Sequence, residues 1–375
     1  MDGPPEAAKI QTSHPPKERR RHPLMPPQDQ TIVLRTVAGL DAGLGHLTRC
    51  LSLAQALASQ GAKPVFAMSA ADAGVRAMVD EAGMELAHIP GDLDPRSDLE
   101  ALAGLTRTRG AAAVVLDGYR FDQAYLDALS QAVFCLYLDD LGEFPPASHL
   151  VLNQNPAARP QDYPPRPGQR LLLGLRYALL RPAFARLRAE RPRHTSETAT
   201  NLLVTFGGAD PNALCARALE ALNRCRRRYV IKVVAGGLPA PLAAARDAAG
   251  HSPHQVLVHE RVADMAQLMA WADMALCGSG VTGYEMCCLG LPMVVLTPVD
   301  NQMAVSRGME RAGLIRHLGW WERVGSEEMA DAVDEVAAAR EERKRLSAAG
   351  QAAVDGLGAQ RVAQILLAAC AKDAR

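Results

Sequence analysis

The chain has 375 residues, 48% of them hydrophobic, with 41 basic and 41 acidic side chains and a formal net charge of zero. That length exceeds what one hydrophobic core usually serves and predicts about two domains of ~150 to 200 residues each. The apolar content argues against a disordered chain, and the balanced charge argues against a partner held by bulk electrostatics, so no nucleic-acid partner is expected.

Residues 1 to about 29 are rich in Pro, Arg, Lys and Gln without apolar periodicity, and read as a disordered tail in which Lys17 to Arg21 is a solvated charge run. From Thr31 the pattern is strand, Gly loop, helix: a β-branched run to Val37, a loop ending Gly43-Leu44-Gly45, then His46 to Gln60. In that helix Leu47, Cys50, Leu51, Ala54, Leu57 and Ala58 form an apolar face, Thr48, Ser52, Gln55 and Ser59 point outward, and Gly61 ends it. Pro64–Met68, Ala111–Leu116, Phe134–Leu138 and Leu150–Leu152 read as buried strands separated by helical segments. The polar stretch Arg181 to Thr200 reads as a bridge, giving a first α/β domain over 30–185, a linker over 186–200 and a second domain over 201–375 that carries the C-terminal helices. The second half repeats the theme, with strand Asn201–Phe206, the loop Gly207-Gly208-Ala209-Asp210-Pro211 and helix Asn212–Leu222. Strands at Tyr229–Val234, Val256–Val258, Met274–Cys277 and Met293–Leu296 follow. The fold class is α/β: two Rossmann-like parallel-sheet domains facing a cleft, where strand C-termini bind ligands.

The eight cysteines (50, 135, 215, 225, 277, 287, 288 and 370) hold no CxxC pair and no Cys/His spacing for a tetrahedral metal site. Neither a metal nor another cofactor is expected, and the cysteines read as reduced core residues of a cytoplasmic protein. No apolar run approaches the roughly 18 residues that span a bilayer, and the N-terminus lacks an apolar signal core, so neither membrane insertion nor secretion is expected. The pattern carries no signal for an oligomeric state.

Three segments could carry chemistry. Gly43, Gly45, His46 and Arg49 open the first helix, where backbone approaches a ligand closely and His46 is placed to act as a base; the alternative is a tight turn with a polar helix start. Gly278-Ser279-Gly280-Val281-Thr282-Gly283-Tyr284-Glu285 lies between an apolar strand and an apolar helix. Its N–H groups and hydroxyls suit a diphosphate and Glu285 suits ribose hydroxyls, unless it is only a Gly-rich turn with a Thr cap. Asp300-Asn301-Gln302 opens another helix, with Asp300 an N-cap candidate. Asp117 and the pair Asp139-Asp140 end strands and fit either a turn or a site.

Taken together, these segments resemble the UDP-2,4-diacetamido-2,4,6-trideoxy-β-L-altropyranose hydrolases of pseudaminic acid biosynthesis, relatives of the GT-B glycosyltransferases. The resemblance runs from Arg35 to about Leu318. It rests on Arg35-Thr36 followed by Gly45-His46-Leu47-Thr48-Arg49-Cys50-Leu51, Asp117-Gly118-Tyr119, Asp139-Asp140-Leu141, Asn153-Gln154-Asn155 and the distinctive run from Leu172 to Pro182. The second half adds Phe206 to Pro211, Ala272-Asp273, Tyr284-Glu285 and Asn301-Gln302. The resemblance implies metal-independent, inverting release of UDP from a UDP-sugar, supplying free sugar for surface glycan or flagellin glycosylation. His46 would be the general base, Tyr119 and Asn301 would shape the sugar site together with Asp117 and Asp140, and Gly207, Gly208, Ser279, Gly280, Thr282, Glu285 and Gln302 would bind the nucleotide. Two positions depart from the family pattern: Val37 replaces an acidic residue, and Val281 replaces a serine whose phosphate contact Ser279 could take over.

Two other readings remain beside the hydrolase. One is a UDP-sugar glycosyltransferase of the same architecture; the neutral outer face of the first helix, unlike the basic apolar face of a membrane-bound transferase, favours water or a soluble acceptor. The other is a non-catalytic sugar-nucleotide-binding protein, against which His46 in the Gly loop argues.

Overall fold

The computed structural model describes residues 29–37, 44–68, 73–90, 92–208, 210, 212–236, 238–260, 262 and 264–373. The tail up to residue 28, Gly43, Ala209 and Pro211 lie outside the described residues. The first domain runs β1 (Thr31–Thr36), α1 (Gly45–Ser59), β2 (Lys63–Met68), α2 (Ala73–Glu81), β3 (Glu85–His88), α3 (Pro95–Arg109), β4 (Ala113–Asp117), α4 (Gln123–Ala132), β5 (Phe134–Leu138), β6 (Leu150–Asn153) and β7 (Arg170–Leu173). After α5 (Pro182–Glu190), the second domain runs β8 (Asn201–Thr205), α6 (Leu214–Leu222), β9 (Val230–Val234), α7 (Pro239–Gly250), β10 (Gln255–His259), α8 (Met265–Trp271), β11 (Met274–Cys277), α9 (Val281–Leu289) and β12 (Met293–Thr297). It continues through α10 (Met303–Arg311), β13 (Arg316–Trp320), α11 (Ser326–Ala338), α12 (Arg340–Ala353) and α13 (Gly358–Asp373).

The first sheet has seven strands in the order β3-β2-β1-β4-β5-β6-β7 and the second has six, in the order β10-β9-β8-β11-β12-β13. Every pairing is parallel, and continuous apolar runs such as Ala113 to Leu116 are buried on both faces by helices. Chain order reverses between β1 and β4 in one sheet and between β8 and β11 in the other. At these switch points the loops leaving neighbouring strands diverge and open a crevice. The strands that the apolar pattern does not reveal, β3, β7 and β13, all lie at sheet edges. There one flank meets solvent, and residues such as Glu85, Arg170 and Arg316 interrupt the apolar run.

Two domain boundaries differ from the sequence reading. Helix α5 spans the expected end of the first domain at 185; its Phe184 and Leu187 are buried in a core built from α8, α9, β11 and β12, so it packs with the second domain. At the other end, α13 was assigned to the second domain but returns to the first. Its Val362, Ala363, Leu366, Leu367 and Cys370 share one buried core with Leu47, Cys50, Leu53 and Leu57 of α1. Gly358 permits this return, because a Cβ there would overlap the Ala178 carbonyl oxygen and lie 2.6 Å from the Tyr177 carbonyl carbon. The second cover also explains why Ser52, expected on an outward face, is fully buried and donates its hydroxyl to the Thr48 carbonyl at 2.9 Å. Ala58, placed on the apolar face, is exposed instead.

Candidate active site

Parallel register brings the acidic strand ends beside the first Gly loop. Thr36 of β1 aligns with Asp117 of β4, and Asp117 aligns with Leu138 of β5, so Asp139 and Asp140 leave the sheet next to it. His46 and Arg49, three residues apart at the start of α1, share a helix face directed at these carboxylates. His46 Nδ1 lies 2.6 Å from Asp117 Oδ1. The Arg49 guanidinium donates through Nε to Asp117 Oδ2 at 2.7 Å, through Nη2 to Asp117 Oδ1, and through Nη1 and Nη2 to the two oxygens of Asp140 at 2.7 and 2.8 Å. The Cys50 thiol completes the shell of Asp117 at 3.3 Å.

Burial alone would push the Asp117 carboxyl up, but the charge and hydrogen bonds of Arg49, with His46, hold it well below the usual carboxylate range. The same carboxylates overcome the effect of burial on Arg49 and raise its guanidinium further. Burial, then the Asp117 charge, pushes the Cys50 thiol up, so it stays a thiol. An ionised Asp117 can only accept, so Nδ1 of His46 is the donor of this pair, and in the neutral imidazole the lone pair is then on Nε2. Arg49 Nη2, 3.0 Å from Nδ1, has no acceptor to offer and already donates to both carboxylates. The charge between the two aspartates is thus the guanidinium; among the described residues no group of three His, Cys, Asp or Glu side chains is arranged to hold a metal ion.

Tyr119 is 52% exposed and packs edge-on against His46, ring centroids 4.9 Å apart and planes at 82°. Gly118, at φ 150°, turns the chain between them, with Val37 only 3.1 Å from where its Cβ would be. Val37 therefore fills a packing position beneath this turn. The Tyr119 hydroxyl donates to Asp140 Oδ2 at 3.4 Å and accepts from Asn301 Nδ2 of the second domain at 3.1 Å, a bond across the cleft. Burial, then Asp140, pushes the Tyr119 phenol up to about 12, so it is a neutral donor at physiological pH.

On the opposite wall, Thr205, Cys277 and Val295 align across β8, β11 and β12 and bring three loops together. Gly207 has φ 100°, and a Cβ on Gly208 would meet Leu44 of the first domain at 3.7 Å, so the two Gly loops face each other at close range. Gly280 caps α9 without a side chain, and Gln302 lies against it, 3.3 Å from where its Cβ would be. Thr282 is half-buried in the first turn of α9. Glu285, one turn on, is buried and accepts from Arg181 Nη2 at 2.9 Å. Its carboxyl is raised by burial, with Arg181 opposing.

The structure gives the remaining side chains of these motifs other places. Asp139 is a turn residue: it accepts from the N–H groups of Leu141 and Gly142 and from the Tyr163 hydroxyl, leaving Asp140 alone to meet Arg49. Ser279 is fully buried, its hydroxyl 2.6 Å from that of Ser306, so it points away from the cleft and does not replace the contact absent at Val281. Asp300 is exposed and begins a single 3-10 turn, Asp300–Gln302, so Gln302 rather than Asp300 stands at the N-cap of α10. Arg35 ties the sheet to α3 through buried Asp98 and donates to the Ala67 carbonyl at 3.0 Å. Asp210 accepts from the N–H groups of Leu214 and Cys215 and thereby starts α6.

Two facing parallel-sheet domains with these loops at their switch points define the GT-B architecture. Its solved representatives include MurG of Acinetobacter baumannii (TM-score 0.66, 15% identity, 90% of this chain and 99% of that one). The calicheamicin glycosyltransferase CalG4 is also similar (TM-score 0.65, 16% identity, 93% of this chain and 100% of that one). At these identities the likeness is one of fold. No family model matches the chain. It is 30% identical over 201 residues to the spore coat polysaccharide biosynthesis protein SpsG of Bacillus subtilis, covering 52% of this chain and 58% of SpsG. It is also 23% identical over 279 residues to the uncharacterized protein MJ1062 of Methanocaldococcus jannaschii, covering 71% of this chain and 55% of that one. The chain thus spans little more than half the length of these curated relatives.

Proposed function

We propose that the protein is an enzyme acting on a nucleotide sugar, and that it hydrolyses a UDP-linked 2,4-diacetamido-2,4,6-trideoxyhexose to UDP and the free sugar. The observation that carries this reading is the His46–Asp117 pair, which turns Nδ1 of His46 to a carboxylate and leaves the other ring nitrogen, Nε2, to act as the base. Nε2 takes a proton from water as the water oxygen bonds to the anomeric carbon, opposite the diphosphate. The bond from that carbon to the diphosphate oxygen breaks, its electron pair leaves with UDP, and configuration inverts. Asp117 stabilises the imidazolium that forms, a contribution of roughly 10²- to 10⁴-fold for a positioned base.

Tyr119, Asn301 and Asp140 shape the sugar site, and Arg49 bridges the two aspartates and keeps Asp117 ionised. Gly207, Gly208, Gly280, Thr282, Glu285 and Gln302 form the UDP wall, where the N-terminus of α9 favours the departing diphosphate. The product is a free sugar suited to nonulosonate synthesis of the pseudaminic acid type. The relationship to SpsG, a polysaccharide biosynthesis protein, supports a place in surface-glycan assembly.

The test is UDP release from UDP-2,4-diacetamido-2,4,6-trideoxy-β-L-altropyranose without acceptor or added metal, for wild type and His46→Ala. Release by wild type, lost in the variant, supports hydrolysis with His46 as base. The likeness to MurG and CalG4 favours one alternative, transfer to an acceptor hydroxyl at the water position. Release that requires an added acceptor selects it.

A further inference from the structure

Behind the UDP wall runs a chain of hydroxyl groups, of which the motifs include only Ser279 and the proposed chemistry uses none. Ser279 Oγ, in the Gly loop, lies 2.6 Å from Ser306 Oγ of α10. Thr297 Oγ1, at the end of β12, donates to Ser306 Oγ at 2.8 Å and lies 2.9 Å from His317 Nε2 of β13. His317 Nδ1 reaches Glu310 at 3.3 Å, where the chain meets solvent. At the other end Gln302 Oε1 accepts from the Ser279 amide at 3.2 Å and its hydroxyl at 3.4 Å. Ser279, Thr297 and Ser306 are fully buried.

We infer that Thr297, Ser306 and His317 are positioning residues that hold the Gly278–Gly280 loop and Gln302 in the geometry that receives the diphosphate of UDP; this rests on the reading of that wall as the UDP site. Each hydroxyl has one proton, so with Thr297 donating to Ser306 the chain runs in one sense: His317 Nε2–H to Thr297, Thr297 to Ser306, Ser306 to Ser279, and Ser279 to Gln302, whose Oε1 and backbone carbonyl both lie 3.4 Å from that hydroxyl. The side chain of Gln302, which also accepts from the Ser279 amide, lies directly against Gly278 and Gly280. A bond removed anywhere along the chain leaves buried polar atoms without partners, and the loop can satisfy them only by moving. Gly280 fits this arrangement, since a Cβ there would press on Gln302 at 3.3 Å.

The experiment is calorimetric titration of UDP into the full chain as wild type, Thr297→Val, Thr297→Ser and Ser306→Ala. Thr297→Val preserves shape and removes the central link; Thr297→Ser keeps the hydroxyl. Thr297→Val and Ser306→Ala are expected to weaken UDP binding about tenfold, the scale of one lost neutral hydrogen bond, and Thr297→Ser to stay within about twofold of wild type. The pair separates hydrogen bonding from packing, because a purely steric role would leave Thr297→Val close to wild type and make Thr297→Ser, which loses the methyl group, the damaging change. If Thr297→Val does not fold, Ser306→Ala decides by the same criterion. Folded variants that bind UDP as tightly as wild type overturn the inference. Wild type that fails to bind UDP overturns the reading of the wall and the inference with it.

Discussion

Replacing Asp117 by Asn exchanges one oxygen for an amide nitrogen at nearly constant shape. Both oxygens of Asp117 now accept: Oδ1 from His46 Nδ1 and Arg49 Nη2, Oδ2 from Arg49 Nε and the Cys50 thiol. An amide has one acceptor oxygen, so either orientation sets N–H against N–H or S–H. If the oxygen stays with Arg49 Nε, the amide hydrogens face His46 Nδ1, and the imidazole relieves the conflict by moving its proton to Nε2. That tautomer has no base on the water side, and UDP release is predicted to fall ~10²- to 10⁴-fold, the worth of a general base. Breaking a buried charge pair costs about 3 to 5 kcal/mol. Asp140 keeps its two bonds to Arg49, which places the expectation near the lower figure. About 3 kcal/mol corresponds to a drop of roughly 6 to 12 °C in the unfolding midpoint of a domain this size. UDP release, thermal unfolding and the ¹⁵N shifts of the His46 ring measure the three consequences. A variant that turns over at the wild-type rate with Nδ1–H retained refutes the assignment of Asp117 as the group that sets the tautomer.

Four further predictions concern named positions. Because Asp117 is held below its unfolded pKa of about 3.9, its stabilisation is full above that pH and is lost as pH falls below it. Unfolding midpoints measured from pH 5 to pH 3 should therefore fall more steeply for wild type than for Asp117→Asn, and parallel curves would count against the pairing. Gly358→Ala should lower the midpoint by at least several degrees, because the new methyl group collides with the Tyr177–Ala178 backbone. Gly104→Ala, within α3 with nothing near its Cβ position, should instead stabilise by about 0.4 to 1 kcal/mol. Glu285→Gln should weaken UDP binding about tenfold while costing little stability, since Arg181 is partly exposed and can be hydrated. Equal UDP affinity in that variant would remove Glu285 from the proposed nucleotide site.

The central strands were legible because burial on both faces demands unbroken apolar runs, as in Val114 to Leu116 or Val294 to Leu296. The edge strands were not, because Glu85, His88 and Arg316 face partial solvent and carry no such demand. An amphipathic helix advertises a face without naming its partner, so α13 could not be assigned to α1 from its own pattern. Around His46, glycines and strand-end carboxylates pointed to the cluster, but only register separates Asp140, which meets Arg49, from Asp139, which closes a turn. Ser279, Ser306, Thr297 and His317 sit on separate elements and share no spacing. The one sequence signal was a small polar residue at a position the structure buries completely, as at Ser306.

The return of α13 has a consequence for biosynthesis. Gln60, at the end of α1, bonds to the carbonyl of Gln360, 300 residues further along the chain. At translation rates of about 5 to 20 residues per second, α1 emerges roughly 15 to 60 s before its cover does. During that interval the second domain, whose sheet and helices α5 to α12 are contiguous in sequence, can complete itself while α1 still lacks the cover of α13. The earlier-made domain is thus the later one to close, and the face of α1 is where a chaperone would hold the nascent chain.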